Sequence, residues 1–255
     1  ELALFRYGIG MIILTPIFIK MGLENLKTKK IGLHIIRMLL AMLAQVGIFI
    51  TVINIPLADA TAIFFSKPLF TTVIAVFLVS EIVSKRRWSA TIIGFLGVII
   101  MVRPGNGSIN PIVLVGVATA LTFAIANVLI RVLSKTEPPN RILFYYHIGG
   151  ILVFTGPAIW VWKTPIGIEW VLLIAISVLT TIGMTCFIRA FSIGEANAVG
   201  PIEYVKLIFA ACFGYLIFGE IPSLWTGIGA LLIIASAIFI ARDEAQNKAQ
   251  SKWSQ

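Results

Sequence analysis

Charge is the first thing this sequence lacks. Asp, Glu, Lys and Arg make up only 12% of its 255 residues, about half the share found in a soluble domain. Cysteine is nearly absent too. Cys186 and Cys212 both fall inside apolar stretches. Neither a disulfide framework nor a paired-cysteine metal site can be built from them, and small apolar packing is their plain role. His34 and His147 are the only histidines. HExxH, GxSxG and phosphate-binding glycine motifs are missing, so metalloprotease, serine-hydrolase and ATP-driven chemistry have no support. No signal-peptide pattern opens the chain.

What fills the sequence is hydrophobicity. Apolar residues make up 59% of it, and the mean hydropathy is +1.00. That is the composition of an integral membrane protein. A net charge of +9 would suit a nucleic-acid partner, but the basic residues sit in short clusters between apolar runs. They read as loop charges that set membrane orientation, so no nucleic-acid partner is expected. A hydrocarbon core of about 30 Å takes roughly 20 helical residues to cross. On that measure nine spans are predicted, at 2–22, 33–53, 60–81, 88–103, 110–131, 142–162, 168–190, 198–219 and 223–241. Trp88, Trp160, Trp162, Trp170 and Trp225 lie near span ends, where an amphipathic ring prefers the interface. Basic loops alternate with loops poor in Lys and Arg, the one after 168–190 being the weakest marker. The alternation places the start of the first span outside and the C-terminus in the cytoplasm. The last residues, 242–255, read as a solvated polar tail.

The chain repeats itself. Ala60–Glu81, ATAIFFSKPLFTTVIAVFLVSE, has a twin in Val199–Glu220, VGPIEYVKLIFAACFGYLIFGE. Lys67 falls on Lys206 and Glu81 on Glu220, at an offset of 139. The same offset lays Leu4-Phe5-Arg6-Tyr7-Gly8-Ile9-Gly10 over Leu143-Phe144-Tyr145-Tyr146-His147-Ile148-Gly149. Spans one to four thus match spans six to nine. The fifth span then begins the second repeat, and its counterpart falls upstream of residue 1. The expected fold is all-α and polytopic, with two five-helix repeats inverted in the membrane. Nine of ten helices are visible and the first is absent. The first repeat takes in 1–103, the second 104–241. Inverted repeats of this kind are common in carriers, with the site near the midplane.

IPLADATAIFFSKPLF followed by SE, a basic loop and WSATIIGFLGVIIMVRP resembles the first EamA-type unit of the drug/metabolite transporter superfamily. EYVKLIFAACFGYLIFGEIPSLWTGIGALLIIASAIFIARDE resembles the end of the second, and ELALFRYGIG the start of the second helix. The resemblance runs through the whole chain. It implies a ten-helix carrier of small metabolites in a bacterial inner membrane. It says little about the substrate.

Several polar residues lie inside the apolar spans. Lys67 and Lys206 are each about two turns into a span, where an ionised group costs about 2.5–3.5 kcal/mol and faces a cavity or a partner. Two readings stand: a cationic pair that binds a carboxylate or phosphate, or snorkelling and a structural ion pair. Glu203 lies one turn before Lys206; it either neutralises that lysine or couples transport to a proton. Its counterpart is Phe64. Arg6, whose twin is Tyr145, contacts substrate or pairs with a neighbour such as Glu1. Phe64, Phe65, Tyr145, Tyr146 and Tyr204 gather near these charges in the repeat map. Gln45, Asn127 and Thr180 add hydrogen-bonding groups at mid-span. Pro68 tends to kink its helix, while Gly94, Gly97, Gly227 and Gly229 favour close helix packing. With the inverted repeat and what the resemblance implies, these residues predict a secondary transporter, not an enzyme, with a small anionic or zwitterionic substrate, amino-acid-like first of all. The expected partners are the small solute and membrane lipid, with room for a coupling proton or ion that the sequence does not assign, and no cofactor or metal is expected. The alternatives are a receptor or scaffold without flux, and, further off, a membrane-embedded enzyme.

Overall fold

Within hydrocarbon every backbone N–H and C=O must find its partner inside the chain, so long apolar segments become helices. The computed structural model describes residues 1–79, 84–102, 110–193, 205–219 and 223–253. Among them regular structure is wholly helical. Helices α1 (Leu2–Met21), α2 (Leu23–Leu26) and α3 (Ile31–Asn54) come first. Next are α4 (Leu57–Phe64), α5 (Lys67–Val79), α6 (Lys85–Val102) and α7 (Pro111–Ser134). The chain ends with α8 (Pro139–Trp160), α9 (Ile168–Ile193), α10 (Val205–Phe218) and α11 (Leu224–Trp253). Pro111 and Pro139 each open a helix, where a missing N–H costs nothing.

Six segments among the described residues are long and apolar enough to cross a bilayer: α1, α3, α7, α8, Asp59–Leu78 and Ile168–Arg189. They match six of the nine expected spans. Trp88–Ile100 and Leu224–Ile240 are apolar but shorter. The span expected at 198–219 is described only from Val205. Large apolar side chains such as Ile12, Phe77, Leu152 and Leu231 point outward, as lipid-facing positions do. The tail expected to be merely solvated continues the last helix as far as Trp253. Its Ala, Glu, Gln, Lys and Arg content gives that stretch helix propensity of its own.

The chain divides into two compact units. One comprises Glu1–Met42 and Leu129–Ile193, the other Leu43–Val128 and Gly194–Gln255. In the first, α1 packs on α8 and α9 around Leu14, Phe18, Leu133, Ile142, Leu143 and Ile188. The α1–α8 pair is antiparallel: Phe18 meets Phe144, while Tyr7 meets Tyr146 and Phe154.

In the second unit α6 lies along α11, and α10 packs on α4. Leu69, Val98 and Ile233 form the core. A Cβ on Gly97 would sit 2.7 Å from the Gly229 carbonyl oxygen, and one on Gly94 2.6 Å from the Leu69 side chain. The expected close approach is real at Gly94 and Gly97. Gly227 has open space around it. The predicted kink at Pro68 takes the form of a break just before it, at Phe65–Ser66. There the Ser66 N–H donates to the Ile63 carbonyl and the Leu69 N–H to the Ser66 carbonyl, both at 3.0 Å. These three-residue closures interrupt the helix, and Pro68 has no N–H to offer the Phe64 carbonyl.

Candidate functional site

The first unit carries a polar cluster at membrane depth, built from four helices. Helix α1 supplies Arg6 and Tyr7, α3 supplies Arg37, α8 supplies Tyr146 and His147, and α9 supplies Thr181. Tyr7 and Gly10 share one face of α1, and Tyr146 and Gly150 one face of α8, by their helical spacing. The glycines admit the bulky groups opposite. A Cβ on Gly150 would overlap the Tyr7 ring, and one on Gly10 would lie 2.6 Å from both His147 Nε2 and Thr181 Oγ1.

Arg6 Nη2 donates to the Tyr7 hydroxyl at 2.8 Å and reaches the Tyr146 hydroxyl at 3.5 Å. The Tyr7 hydroxyl donates to that of Tyr146 at 3.1 Å, with the rings edge to face at 5.1 Å. Phe154 stacks on the Tyr7 ring at 5.8 Å. Arg37 lies six residues into α3, about 9 Å along its axis. Its guanidinium sits 5.0 Å from the Tyr146 ring centre, the geometry of a cation–π contact. The side chain is 2% exposed, and its Nε has no hydrogen-bond partner. No carboxylate among the described residues forms an ion pair with it. Thr181 Oγ1 is also buried without a partner. His147 Nδ1 is 2.9 Å from the Leu143 carbonyl. A carbonyl only accepts, so that nitrogen carries the proton.

A second cluster closes one end of the same unit, in the loops before α3 and α8. Glu137, 6% exposed, accepts from Thr28 Oγ1 at 2.7 Å and from Arg141 Nη1 at 2.6 Å. His34 Nε2 lies 3.8 Å from it. Arg141 Nε donates to the Asn25 carbonyl, and the Tyr145 hydroxyl to the Leu26 carbonyl. Burial alone would raise the Glu137 carboxyl pKa. The Thr28 hydroxyl and the Arg141 guanidinium outweigh it, with His34 adding to them, and hold the group below its ordinary value.

The expected site residues separate between the units. In the first, Arg6 joins the tyrosine cluster and not Glu1, whose carboxylate accepts from the Lys163 N–H. Tyr145 instead belongs to the loop cluster, its ring 4.4 Å from that of His34. The half-buried Thr180 donates to the Ile176 carbonyl of its own helix. In the second unit, Lys67 opens α5 directly after the helix break, with Phe64 the last residue of α4. Gln45 is buried and Asn127 partly so. Lys206 is the second residue of α10, but nothing of its side chain is described. Glu203 and Tyr204 lie outside the described residues, as do Glu81 and Glu220.

Arg37 and Glu137 escaped the sequence reading. A signal existed for the first: it is a lone cation inside the predicted 33–53 span, the same mark that singled out Lys67. Glu137 offered only its four-residue spacing to Arg141; its other partners, Thr28 and His34, are more than 100 residues away.

Comparison with known proteins agrees with this architecture. A sequence profile described as the EamA-like transporter family matches residues 1–103 and 110–242. An S-adenosylmethionine uptake transporter of Rickettsia prowazekii is 31% identical over 255 residues, all of this chain and 87% of that protein. A riboflavin transporter of Vibrio cholerae is 27% identical, covering 98% of this chain and 85% of its own. A crystal structure shares the fold with a TM-score of 0.66 at 18% identity, over 93% of this chain and 85% of the other.

Proposed function

The chain belongs to the EamA-like transporter family, and on that premise we propose that it is a secondary active carrier of a small anionic or zwitterionic metabolite. It is a multi-pass membrane transporter, not an enzyme. The finer reading is alternating access, with amino-acid derivatives as first candidates and a cytoplasmic C-terminus. A relative named for S-adenosylmethionine uptake agrees with that substrate class, since this solute carries an amino-acid head.

The observation that carries the proposal is the helix break at Phe65–Ser66. It opens α5 inside the segment Asp59–Leu78 and sets Lys67 at that opening. The start of a helix carries partial positive charge, and broken helices aim such ends at anionic groups in carriers. Helix α10, which bears Lys206, packs on α4 just ahead of the break. In this unit Lys67, Lys206, Glu203, Tyr204, Phe64, Gln45 and Asn127 are the proposed contacts. Arg6, Tyr145 and Thr180 are those of the other. The inverted repeat draws support from α1 and α8, which overlay in the two repeats at the offset of 139 and pack antiparallel. Tyr7 and Tyr146, 139 residues apart, touch each other.

Purified protein in liposomes tests the reading by counterflow of labelled S-adenosylmethionine, riboflavin and amino acids. Saturable exchange of one of these is expected. Lys67→Ala and Lys206→Ala should each abolish it with normal membrane insertion; undiminished flux in both would sink the assignment. An imposed pH gradient should drive uptake if Glu203 couples a proton. A rate indifferent to pH would remove that role.

A further inference from the structure

The cluster around Arg37 has a charge count that its own residues do not balance. Arg6 and Arg37 bring two guanidiniums to one pair of neutral phenols, Tyr7 and Tyr146. No carboxylate among the described residues forms an ion pair with Arg37, and its Nε makes no hydrogen bond. An ionised side chain inside a membrane faces a cavity or pairs with another charged group or a backbone carbonyl, and it marks a substrate or ion path. A guanidinium offers a flat fork of N–H donors that matches a carboxylate in two parallel bonds. The rest of the cluster suits the neighbourhood of such a group. Tyr146 orients the guanidinium through its ring face, and Thr181 Oγ1, on the facing helix α9, is a second buried group without a partner.

We propose that Arg37, held on the Tyr146 ring, is the carboxylate-binding residue of a subsite in the first unit, with Tyr7, Tyr146 and Thr181 as its polar wall. The ligand class is a small solute with a free carboxylate, amino acids and their derivatives included. This rests on the transport reading above and deepens it by naming the substrate group and the residue that takes it. The guanidinium fork matters beyond its charge, so lysine replaces it only in part.

The test is competition binding with the purified full-length chain in detergent, which does not depend on flux. Labelled S-adenosylmethionine is displaced by the unlabelled compound and by its decarboxylated analogue, which differs by that one group. For the wild type the analogue should compete at least about 10-fold more weakly, the usual worth of a charge-assisted hydrogen bond to a buried group. In Arg37→Met the two competitors should become equal within about threefold, and in Arg37→Lys part of the gap should remain. A wild type that binds both compounds alike, or an Arg37→Met protein that keeps the preference, overturns the assignment and leaves the transport reading standing. A wild type that binds riboflavin and ignores S-adenosylmethionine overturns the assignment together with the anionic or zwitterionic substrate class, and leaves only the carrier reading standing. If Arg37→Met does not survive purification, Arg37→Lys and Arg37→Gln carry the same comparison. Failure of the wild type to bind or exchange any of the three compounds counts against both the subsite and the transport reading.

Discussion

Replacing Glu137 by Gln should weaken the first unit by an amount the loop cluster lets one work out. The carboxylate accepts from Thr28 at 2.7 Å and Arg141 at 2.6 Å and lies 3.8 Å from His34. Breaking a fully buried ion pair by removing one partner costs about 3–5 kcal/mol. Arg141 is 16% exposed and finds some water, so roughly 2–3 kcal/mol is the reasonable figure. At about 2–4 °C per kcal/mol for a chain of this size, the melting temperature in detergent should fall by about 4–12 °C. A control at the exposed Glu24 should shift it by less than about 2 °C. The pH dependence has a definite sign. The folded protein holds the Glu137 carboxyl pKa below its ordinary value, so its contribution is complete above the unfolded pKa of about 4.3. That contribution is lost as pH falls through the lower folded value. Wild-type stability should therefore drop on acidification below about pH 4, and the Gln variant should show a shallower drop. Melting curves at pH 7.5 and in steps down to pH 3.5 decide the matter. A Gln variant that melts within 2 °C of wild type, or loses stability in acid as steeply, refutes the reasoning.

Other substitutions test the packing and the proposed path. Gly150→Ala should cost about 1–3 kcal/mol, because the new methyl overlaps the Tyr7 ring, whereas Gly8→Ala meets nothing within 4 Å and should be neutral by thermal melting. Leu133→Ala removes a side chain with no exposure. Where lipid surrounds the unit the transfer term shrinks and the cavity term remains. About 1–3 kcal/mol is expected there, against little for the exposed Ile12→Ala. Lys67→Ala should leave melting within a few degrees of wild type while ending counterflow; equal loss of both would mark Lys67 as structural.

The sequence revealed the spans because run length alone decides whether a helix can cross a bilayer, and 33–53 became Ile31–Asn54 with little change at either end. It also showed Lys67 and Pro68 as misfits, and the structure locates the interruption two or three residues before Pro68, at Phe65–Ser66. Choosing between a kink and a break needed the hydrogen bonds around Ser66, which composition does not record. Partnerships were the harder part. Arg6 was weighed against its near neighbour Glu1, yet its contacts are Tyr7 and Tyr146, the second of them on another helix. Tyr145 and Tyr146 are adjacent in sequence and serve different clusters, because neighbours on a helix point about 100° apart.

The pairing of Arg37 with the Tyr146 ring also has a consequence for how the chain is made. The two residues are 109 positions apart, from 37 to 146. At synthesis rates of about 5–20 residues per second, roughly 5–20 s pass between the emergence of one and of the other. For that interval α3 carries a buried-to-be cation whose aromatic seat does not yet exist. Such a residue adds to the cost of insertion, up to about 2.5–3.5 kcal/mol at the centre of a span and less nearer its end. The flanking Leu, Ile, Met and Phe of α3 must outweigh that cost by themselves, so its strong hydrophobicity is a requirement of assembly as well as of the finished protein.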